Sequence, residues 1–363
     1  MDILTVSNMY PSRKDPAYGT FVRNFYESIR SRNPEGKNHL VTIRGRRKNK
    51  ASKLCTYISF YVRLTWRLLF GRYDLIYIHT ITFPILPVRI ALWFRSLPLA
   101  FNVHGDDLLP KGKLKRWLKH LACKPLLDAR MVVSPSSYYK NVLLEEFPAL
   151  SPERIFISPS GGVAQRFFDA ARERNAREEK NPVIGFVSRY APGKGWDTYL
   201  EALYRLRKKG HRFKAVMAGG GPGTEKVAQM IARLGLEDIV TELGAVSQER
   251  LPELYASFDL FIFPTRLNES LGLVGIEALA TATPVIASNM AGPTTYVRDG
   301  VNGFLFTPGS VDALVSAIGK YLALSPQAKR DMSKAAADSA LPYEATRVAG
   351  NMYVRLCQLV GAD

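Results

Sequence analysis

The chain has 363 residues, of which 47% are hydrophobic and 23% are charged, which is enough apolar material for two globular domains. Its net charge is +18; residues 1–180 hold 31 lysines and arginines against 15 acidic residues, a net charge of +16. This composition excludes a disordered or fibrous chain, and the absence of any run of 18 uncharged apolar residues argues against a transmembrane helix.

The cysteines and the N-terminal sequence indicate in which cellular compartment the protein lies. Cys55, Cys123 and Cys357 lie far apart and fit no metal or disulfide spacing, which suggests a reducing environment. The N-terminus lacks the basic region and cleavage site of a signal peptide. We therefore expect a cytoplasmic protein.

In chain order, the first half alternates short apolar runs with amphipathic segments. Residues 20–31 predict a helix, since Phe21, Phe25 and Ile29 recur every four positions. Short continuous apolar runs are typical of parallel strands that are buried on both faces. These runs lie at 3–7, 39–43, 74–79, 99–104, 131–134 and 155–158.

Residues 111–121 predict a short, cationic, amphipathic helix that contains Trp117. Such a helix can lie in the headgroup layer of a membrane, although it can equally be a surface helix packing its leucines into the core. Together with the charge of the first half, it favours an anionic membrane surface as a partner.

Residues 166–182 are charged and poor in apolar residues, so we predict a linker there. The second half then resumes the alternation, with apolar runs at 182–188, 213–218, 239–243, 260–263, 285–287 and 303–306. The predicted fold is α/β, with two doubly wound Rossmann-like domains at 1–165 and 183–344 that face each other across a cleft. A C-terminal helix at about 345–363 is expected to pack back on the first domain.

Two glutamates, Glu269 and Glu277, stand eight positions apart around a turn of small residues that opens a helix. A helix N-terminus attracts phosphate, whereas carboxylates accept hydrogen bonds from hydroxyl groups. After an earlier strand, Arg189 and Lys194 lie five positions apart, and both can neutralise a diphosphate. A ligand with a diphosphate and several hydroxyls, such as a nucleotide sugar, satisfies all four residues.

This pattern resembles the E-x7-E motif of retaining glycosyltransferases of family 4, which have the two-domain GT-B fold. The residues Arg189, Lys194 and Gly195 match the family's G-R-x-x-x-x-K-G pattern except that Ser188 replaces the first glycine. Residues 218–223 resemble its G-x-G-P loop, and residues 243–246 its next turn. The resemblance is continuous over about 183–315 and sparser in the first half, where the opening loop looks like enzymes of bacterial surface-polysaccharide synthesis.

The resemblance implies roles for particular residues. His104, at a strand end before Gly105, would face the donor sugar, and Gly19 would open the cleft toward the diphosphate. Arg189 and Lys194 would stabilise the leaving diphosphate, and Glu269 and Glu277 would hold sugar and ribose hydroxyls. The expected catalytic set is Glu269, His104, Arg189 and Lys194. The expected donor-binding set is Gly19, Arg189, Lys194, Gly221, Val246, Glu269, Ser270, Leu271, Gly272, Leu273, Val274 and Glu277.

The expected function is retaining transfer of a hexosyl group from a nucleotide-diphosphate sugar to a lipid-linked or lipopolysaccharide glycan at the inner face of the plasma membrane. No Asp-x-Asp triplet or His/Cys cluster is present, so we expect neither a metal nor another cofactor. A nucleotide-sugar 2-epimerase of the same fold remains an alternative. A basic nucleic-acid-binding protein is the alternative from another class, but no nucleic-acid motif is recognisable, and no nucleic-acid partner is expected.

Overall fold

A computed structural model describes residues 1–15, 18–46, 49–172 and 181–361, which form two compact α/β units. The first unit comprises Met1–Gly161 together with the segment from Arg347 onward, and the second comprises Gly162–Thr346. None of the helices in these described ranges is both long and apolar enough to cross a bilayer.

The first unit is built on a six-stranded parallel sheet. Its strands are β1 (Ile3–Tyr10), β2 (Asn38–Arg44), β3 (Leu75–His79), β4 (Leu99–Asn102), β5 (Met131–Ser134) and β6 (Ile155–Ile157). They lie in the order β2-β1-β3-β4-β5-β6. The predicted parallel sheet is confirmed, because the apolar runs of the sequence correspond to these strands. The run at 99–104 extends beyond the strand, which ends at Asn102.

Helices cover both faces of this sheet. They are α1 (Thr20–Arg32), α2 (Lys50–Phe70), α3 (Ile85–Leu92), α4 (Gly105–Leu108), α5 (Lys113–Leu127) and α6 (Ser137–Glu146). Successive strand residues point to opposite faces, so Leu4 joins a core with Phe60 and Leu64 of α2, whereas Ile3 joins a second core with Ile29 of α1.

The second unit also contains a six-stranded parallel sheet. Its strands are β7 (Val183–Val187), β8 (Lys214–Ala218), β9 (Val240–Glu242), β10 (Leu260–Phe263), β11 (Val285–Ser288) and β12 (Gly303–Phe306). The order β12-β11-β10-β7-β8-β9 makes β7 and β10 neighbours. The chain moves outward in one direction from β7 and in the other from β10, so the strand order reverses between them. Open α/β sheets bind ligands at the carboxyl ends of strands at such a reversal.

The helices of the second unit include a segment that the charge pattern assigned to the linker. They are α7 (Gln165–Arg172), α8 (Trp196–Lys208), α9 (Thr224–Arg233), α10 (Leu251–Ala256), α11 (Leu273–Ala280), α12 (Val311–Leu322) and α13 (Pro326–Ala340). Residues 166–172 are therefore helical rather than a linker, because Phe167 and Phe168 are buried in the core of the second unit. Residues 173–180 lie outside the described part of the chain.

The C-terminal helix α14 (Ala345–Gly361) contributes to the first unit. Met352 and Leu356 are buried in the same core as Ile3, Leu75 and Tyr77. The helix therefore packs on the α1 face of the first sheet, although it follows the second domain in sequence.

Candidate active site

The loops after β7 and β10 are in direct contact at the strand reversal of the second unit. Gly195 has φ +78°, and a Cβ atom on it would lie 1.8 Å from the carbonyl oxygen of Pro264, at the end of β10. The N–H of Arg266 donates to the carbonyl of Gly193 at 2.7 Å. This close approach requires glycine and places Lys194 over the β10 loop.

Lys194 and Glu269 meet at this point. The Lys194 Nζ donates to Glu269 Oε1 at 2.7 Å, and the hydroxyl of Thr265 donates to the same oxygen at 3.2 Å. The two charged side chains are 23% and 18% exposed, so the pair is partly shielded but open to a ligand. The structure thus brings together two of the four predicted catalytic residues, which are 75 positions apart in sequence.

Arg189 lies on the exposed rim of the same loop, beside the glycine-rich turn after β8. A Cβ atom on Gly221 would lie 3.1 Å from Arg189 Cγ. The neighbouring Tyr190 is buried and connects the two loops: its N–H donates to the carbonyl of Gly220, and its carbonyl accepts from the N–H of Gly223. Its hydroxyl donates to Glu242 at 2.9 Å. Tyr190 therefore fixes the backbone that carries Arg189.

Helix α11 begins directly after Gly272, which has φ +81° and stands between Glu269 and Glu277. The first amide groups of a helix have no partner inside the helix and attract anions. The hydroxyl of Tyr296 donates to the carbonyl of Gly272 at 2.9 Å, which fixes the start of the helix. Both glutamates lie close enough to raise the pKa of Tyr296, after the larger effect of burial.

Glu277 is half-buried and accepts a hydrogen bond from the hydroxyl of Tyr255 at 3.2 Å. Burial raises the pKa of Glu277 to about 7, while the Tyr255 hydrogen bond and the charge of Arg166 act to lower it. Arg166 belongs to α7, so a residue predicted to lie in the linker faces the second acid of the motif. Near neutral pH, Glu277 can therefore exist in either protonation state.

The side chains of the α11 turn do not all face outward. Leu271 was predicted to bind the donor, but its side chain is buried in the core, so only its backbone can contact a ligand there. Leu273, Val274 and Val246 are half-buried and pack against the same core. Ser270 is half-buried. The donor-binding role of this segment stays a prediction.

His104 and Gly19 belong to the first unit. Gly19 has φ +73° just before α1, and a Cβ atom on it would lie 2.7 Å from the backbone of Met9, near the end of β1. His104 precedes α4 and is half-buried, and burial lowers its pKa to about 4. Its Nε2 is buried and has no hydrogen-bond partner in the described residues. The neutral imidazole thus keeps a ring nitrogen that is unpaired within the described ranges, and its contact with a donor sugar stays a prediction.

Asp107 positions His104. One carboxyl oxygen of Asp107 accepts the N–H of His104 at 2.7 Å, and the other accepts the N–H of Ile81 at 2.9 Å. Burial raises the pKa of Asp107 to about 7. The carboxyl thus joins the loops after β3 and β4, and His79 at the end of β3 stacks on His104 with ring centroids 6.0 Å apart.

Sequence reasoning missed the residues that position the site. Tyr190, Tyr255 and Tyr296 each bond to a group distant in sequence, and Arg166 acts across more than one hundred residues on Glu277. The only signal for the tyrosines was a hydroxyl in an otherwise apolar segment. Across the described ranges, no group of three or more His, Cys, Asp or Glu side chains is placed to hold a metal ion.

Two family descriptions match the chain, "Glycosyltransferase Family 4" over residues 21–162 and "Glycosyl transferases group 1" over residues 167–339. The GDP-mannose-dependent alpha-(1-6)-phosphatidylinositol monomannoside mannosyltransferase of Mycolicibacterium smegmatis is 31% identical over 208 residues, which cover 54% of each protein. The D-inositol 3-phosphate glycosyltransferase of Nocardia farcinica is 29% identical over 293 residues, 74% of this chain and 64% of the relative. The match thus spans about half the length of the mycobacterial relative.

The crystal structure of HepE from Anabaena, solved in complex with UDP and glucose, has a TM-score of 0.73 at 21% identity. The alignment covers 99% of this chain and 100% of that chain, so the two share a fold along their whole length. The two six-stranded parallel sheets are the Rossmann-like domains of this GT-B fold. The chain belongs to the glycosyltransferase family described by the group 1 and family 4 domains, which together match most of its length.

Proposed function

We propose that the protein transfers a hexosyl group, with retention of anomeric configuration, from a nucleotide-diphosphate sugar to a lipid-linked or lipopolysaccharide glycan. The observation that carries the proposal is the contact between Lys194 and Glu269 at 2.7 Å, at the strand reversal of the second domain. A cation and a hydroxyl acceptor stand side by side there, as a sugar diphosphate requires.

The diphosphate would be bound by positive charge without a metal. Lys194 can exchange Glu269 for a phosphate oxygen, because an ammonium group is a mobile donor. Arg189 on the adjacent rim can grip a second oxygen, and the amides of the α11 turn supply further donors. As the leaving group gains charge, these contacts strengthen and lower the barrier.

The two glutamates would bind the hydroxyl groups at either end of the donor. Once Lys194 turns to phosphate, Glu269 is free to accept hydrogen bonds from the sugar, while Thr265 still holds one carboxylate oxygen. Glu277, one turn into α11, would accept the ribose hydroxyls. Together they place the anomeric carbon in a fixed position.

In the transfer step, the bond between the anomeric carbon and the phosphate oxygen breaks, and the acceptor oxygen bonds to the same face of that carbon. The acceptor proton passes to the departing phosphate oxygen, so the products are the glycosylated acceptor and the nucleoside diphosphate. The family resemblance implies that His104 would bind a sugar hydroxyl.

The acceptor is inferred from charge and from the relatives. The mycobacterial relative is named for a phosphatidylinositol mannoside acceptor, and the first half of this chain carries a net charge of +16. An anionic lipid-linked acceptor at the inner face of the plasma membrane, within bacterial surface-polysaccharide synthesis, suits both facts.

The test is incubation with UDP-, GDP- and ADP-hexoses and a lipid-linked glycan, with and without EDTA. NMR of the product should show the anomeric configuration of the donor and a rate that EDTA leaves unchanged. Inversion, or loss of activity in EDTA, would contradict the mechanism. Donor epimerised in the absence of any acceptor would favour the 2-epimerase instead.

A further inference from the structure

Helix α2 carries a second apolar stripe that the fold does not use. Phe60, Leu64 and Leu68 are buried in the core. Five other large apolar side chains, spaced every four residues, point outward and are between 54% and 65% exposed: Leu54, Ile58, Val62, Trp66 and Phe70. Soluble surfaces rarely keep such a continuous apolar strip unless it contacts a partner.

Helix α3 extends this strip at the C-terminal end of α2. The guanidinium of Arg95 donates to the carbonyls of Leu69 and Gly71 at 3.2 and 2.8 Å, which holds the end of α3 beside Phe70. Trp93 and Phe94, just before Arg95, are 74% and 71% exposed. The Trp66 and Phe70 rings are in contact, tilted at 47° with centroids 4.3 Å apart. Tryptophans concentrate at the boundary between lipid and water.

A hollow of about 510 Å³ lies between α2 and the edge strand β2. Arg44 and Arg63 line it together with the hydroxyls of Ser52, Thr56 and Ser59. Arg63 donates to the carbonyl of Thr42 at 3.3 Å, which holds its guanidinium over the hollow. Among the described residues that line it, none is acidic, so the arginines and hydroxyls suit a phosphate group.

The sequence around this hollow is strongly basic. Residues 36–105 contain 12 lysines and arginines and a single acidic residue, Asp74. Asp74 accepts the N–H of Asp2 at the amino end of the sheet. A second copy of the chain would bring a second cationic face against the first, which disfavours self-association through this surface.

We propose that α2 and the end of α3 dock on an anionic phospholipid bilayer, with the exposed stripe among the acyl chains and a headgroup phosphate in the Arg44–Arg63 hollow. This inference deepens the proposed function, and rests on its membrane-held acceptor, by naming the docking surface. The sequence pattern pointed to residues 111–121, whereas the larger apolar surface lies on α2 and α3.

The test is co-sedimentation of the full chain, without donor, with phosphatidylcholine vesicles that do or do not contain phosphatidylglycerol. Wild-type protein should bind the anionic vesicles strongly and the neutral ones weakly. Trp66→Ser/Phe70→Ser should weaken binding at least tenfold, and Arg44→Ala/Arg63→Ala about thirtyfold on anionic vesicles only.

Matched controls are Val301→Ser/Val354→Ser, which removes two other exposed apolar side chains, and Lys226→Ala/Arg233→Ala, which removes two charges from the second domain. Both should bind within twofold of wild type. Equal losses in the controls, or unchanged binding in the α2 variants, would overturn the inference. The inference would also be overturned if light scattering showed that the wild type is a dimer and that Trp66→Ser/Phe70→Ser makes it a monomer. Nucleotide-sugar binding is measured in every variant. If it is intact while the vesicle results contradict the docking surface, only the docking inference fails and the proposed function stands.

Discussion

At the scale of single residues, the candidate site combines a charged pair with an acid of adjustable charge. Lys194 and Glu269 neutralise each other across 2.7 Å before any ligand arrives. Glu277 lies deeper, and burial raises its pKa to about 7 from an ordinary value of 4.5. Its capacity to accept hydrogen bonds from hydroxyl groups therefore changes within the physiological pH range.

We expect the KM for the donor to rise several-fold as the pH falls from 8 to 6, because protonation removes an acceptor from Glu277. Arg166→Ala should move the midpoint of this profile to higher pH, since the charge of Arg166 lowers the pKa of Glu277. Glu277→Gln should have a high KM for the donor that does not change with pH. A wild-type profile in Glu277→Gln would show that another group titrates.

The raised pKa of Glu277 also makes the stability of the folded protein depend on pH. The folded-state pKa of Glu277 is raised, so its contribution to stability is full below about pH 4.5 and is lost as the pH rises through about 7. In urea unfolding, the wild type should therefore lose free energy of unfolding between pH 5 and pH 8. The loss in Glu277→Gln should be smaller, by on the order of 1 kcal/mol. No difference between the two proteins would contradict the assigned burial.

At the scale of elements, the strands were predictable, but the beginning of the second domain was not. Parallel strands buried on both faces are continuous apolar runs, so Leu260–Phe263 and Gly303–Phe306 could be placed from sequence. The motif residues Lys194 and Glu269 were predicted to act together, and they do meet. The first part of the predicted linker, residues 166–172, was misassigned, because the charged side chains of α7 outnumber the two phenylalanines that bury it.

The positioning tyrosines could not be predicted, since their partners are set by tertiary packing. Tyr190 reaches Glu242, and Tyr255 reaches Glu277, only after the sheet has formed. Leu271 shows the reverse error: a residue in a binding motif can bury its side chain and offer only its backbone.

Gly195→Ala tests whether the β7 and β10 loops must touch. The new Cβ would collide with the carbonyl of Pro264, so we expect more than about 2 kcal/mol of destabilisation and at least tenfold weaker donor binding. Gly210→Ala is the matched control, because Gly210 has φ +84° with open space around it and should cost about 1 kcal/mol. Equal effects of the two changes on donor binding would contradict the proposed contact.

At the scale of the whole molecule, charge is divided between the two halves. Residues 1–180 carry +16 of the total +18, and the half that contains the donor motif is nearly neutral. Binding to an anionic acceptor surface is therefore expected to depend more strongly on salt than binding of the donor.

Raising NaCl from 50 to 500 mM should reduce transfer to an acceptor in anionic vesicles at least tenfold, because screening weakens attraction to the bilayer. Transfer to a detergent-free, water-soluble analogue of the acceptor should change less than threefold, since the partly buried donor contacts are screened less. Equal salt dependence of both reactions would assign the basic half another role.

Titration calorimetry of UDP-, GDP- and ADP-sugars into wild type, Lys194→Ala and Glu269→Ala tests the donor site most directly. One nucleotide class should bind the wild type, and each variant should lose at least tenfold in affinity while Arg207→Ala, which breaks an exposed ion pair with Asp238, binds normally. Absence of binding by every sugar nucleotide, or wild-type affinity in Lys194→Ala and Glu269→Ala, would contradict the assignment.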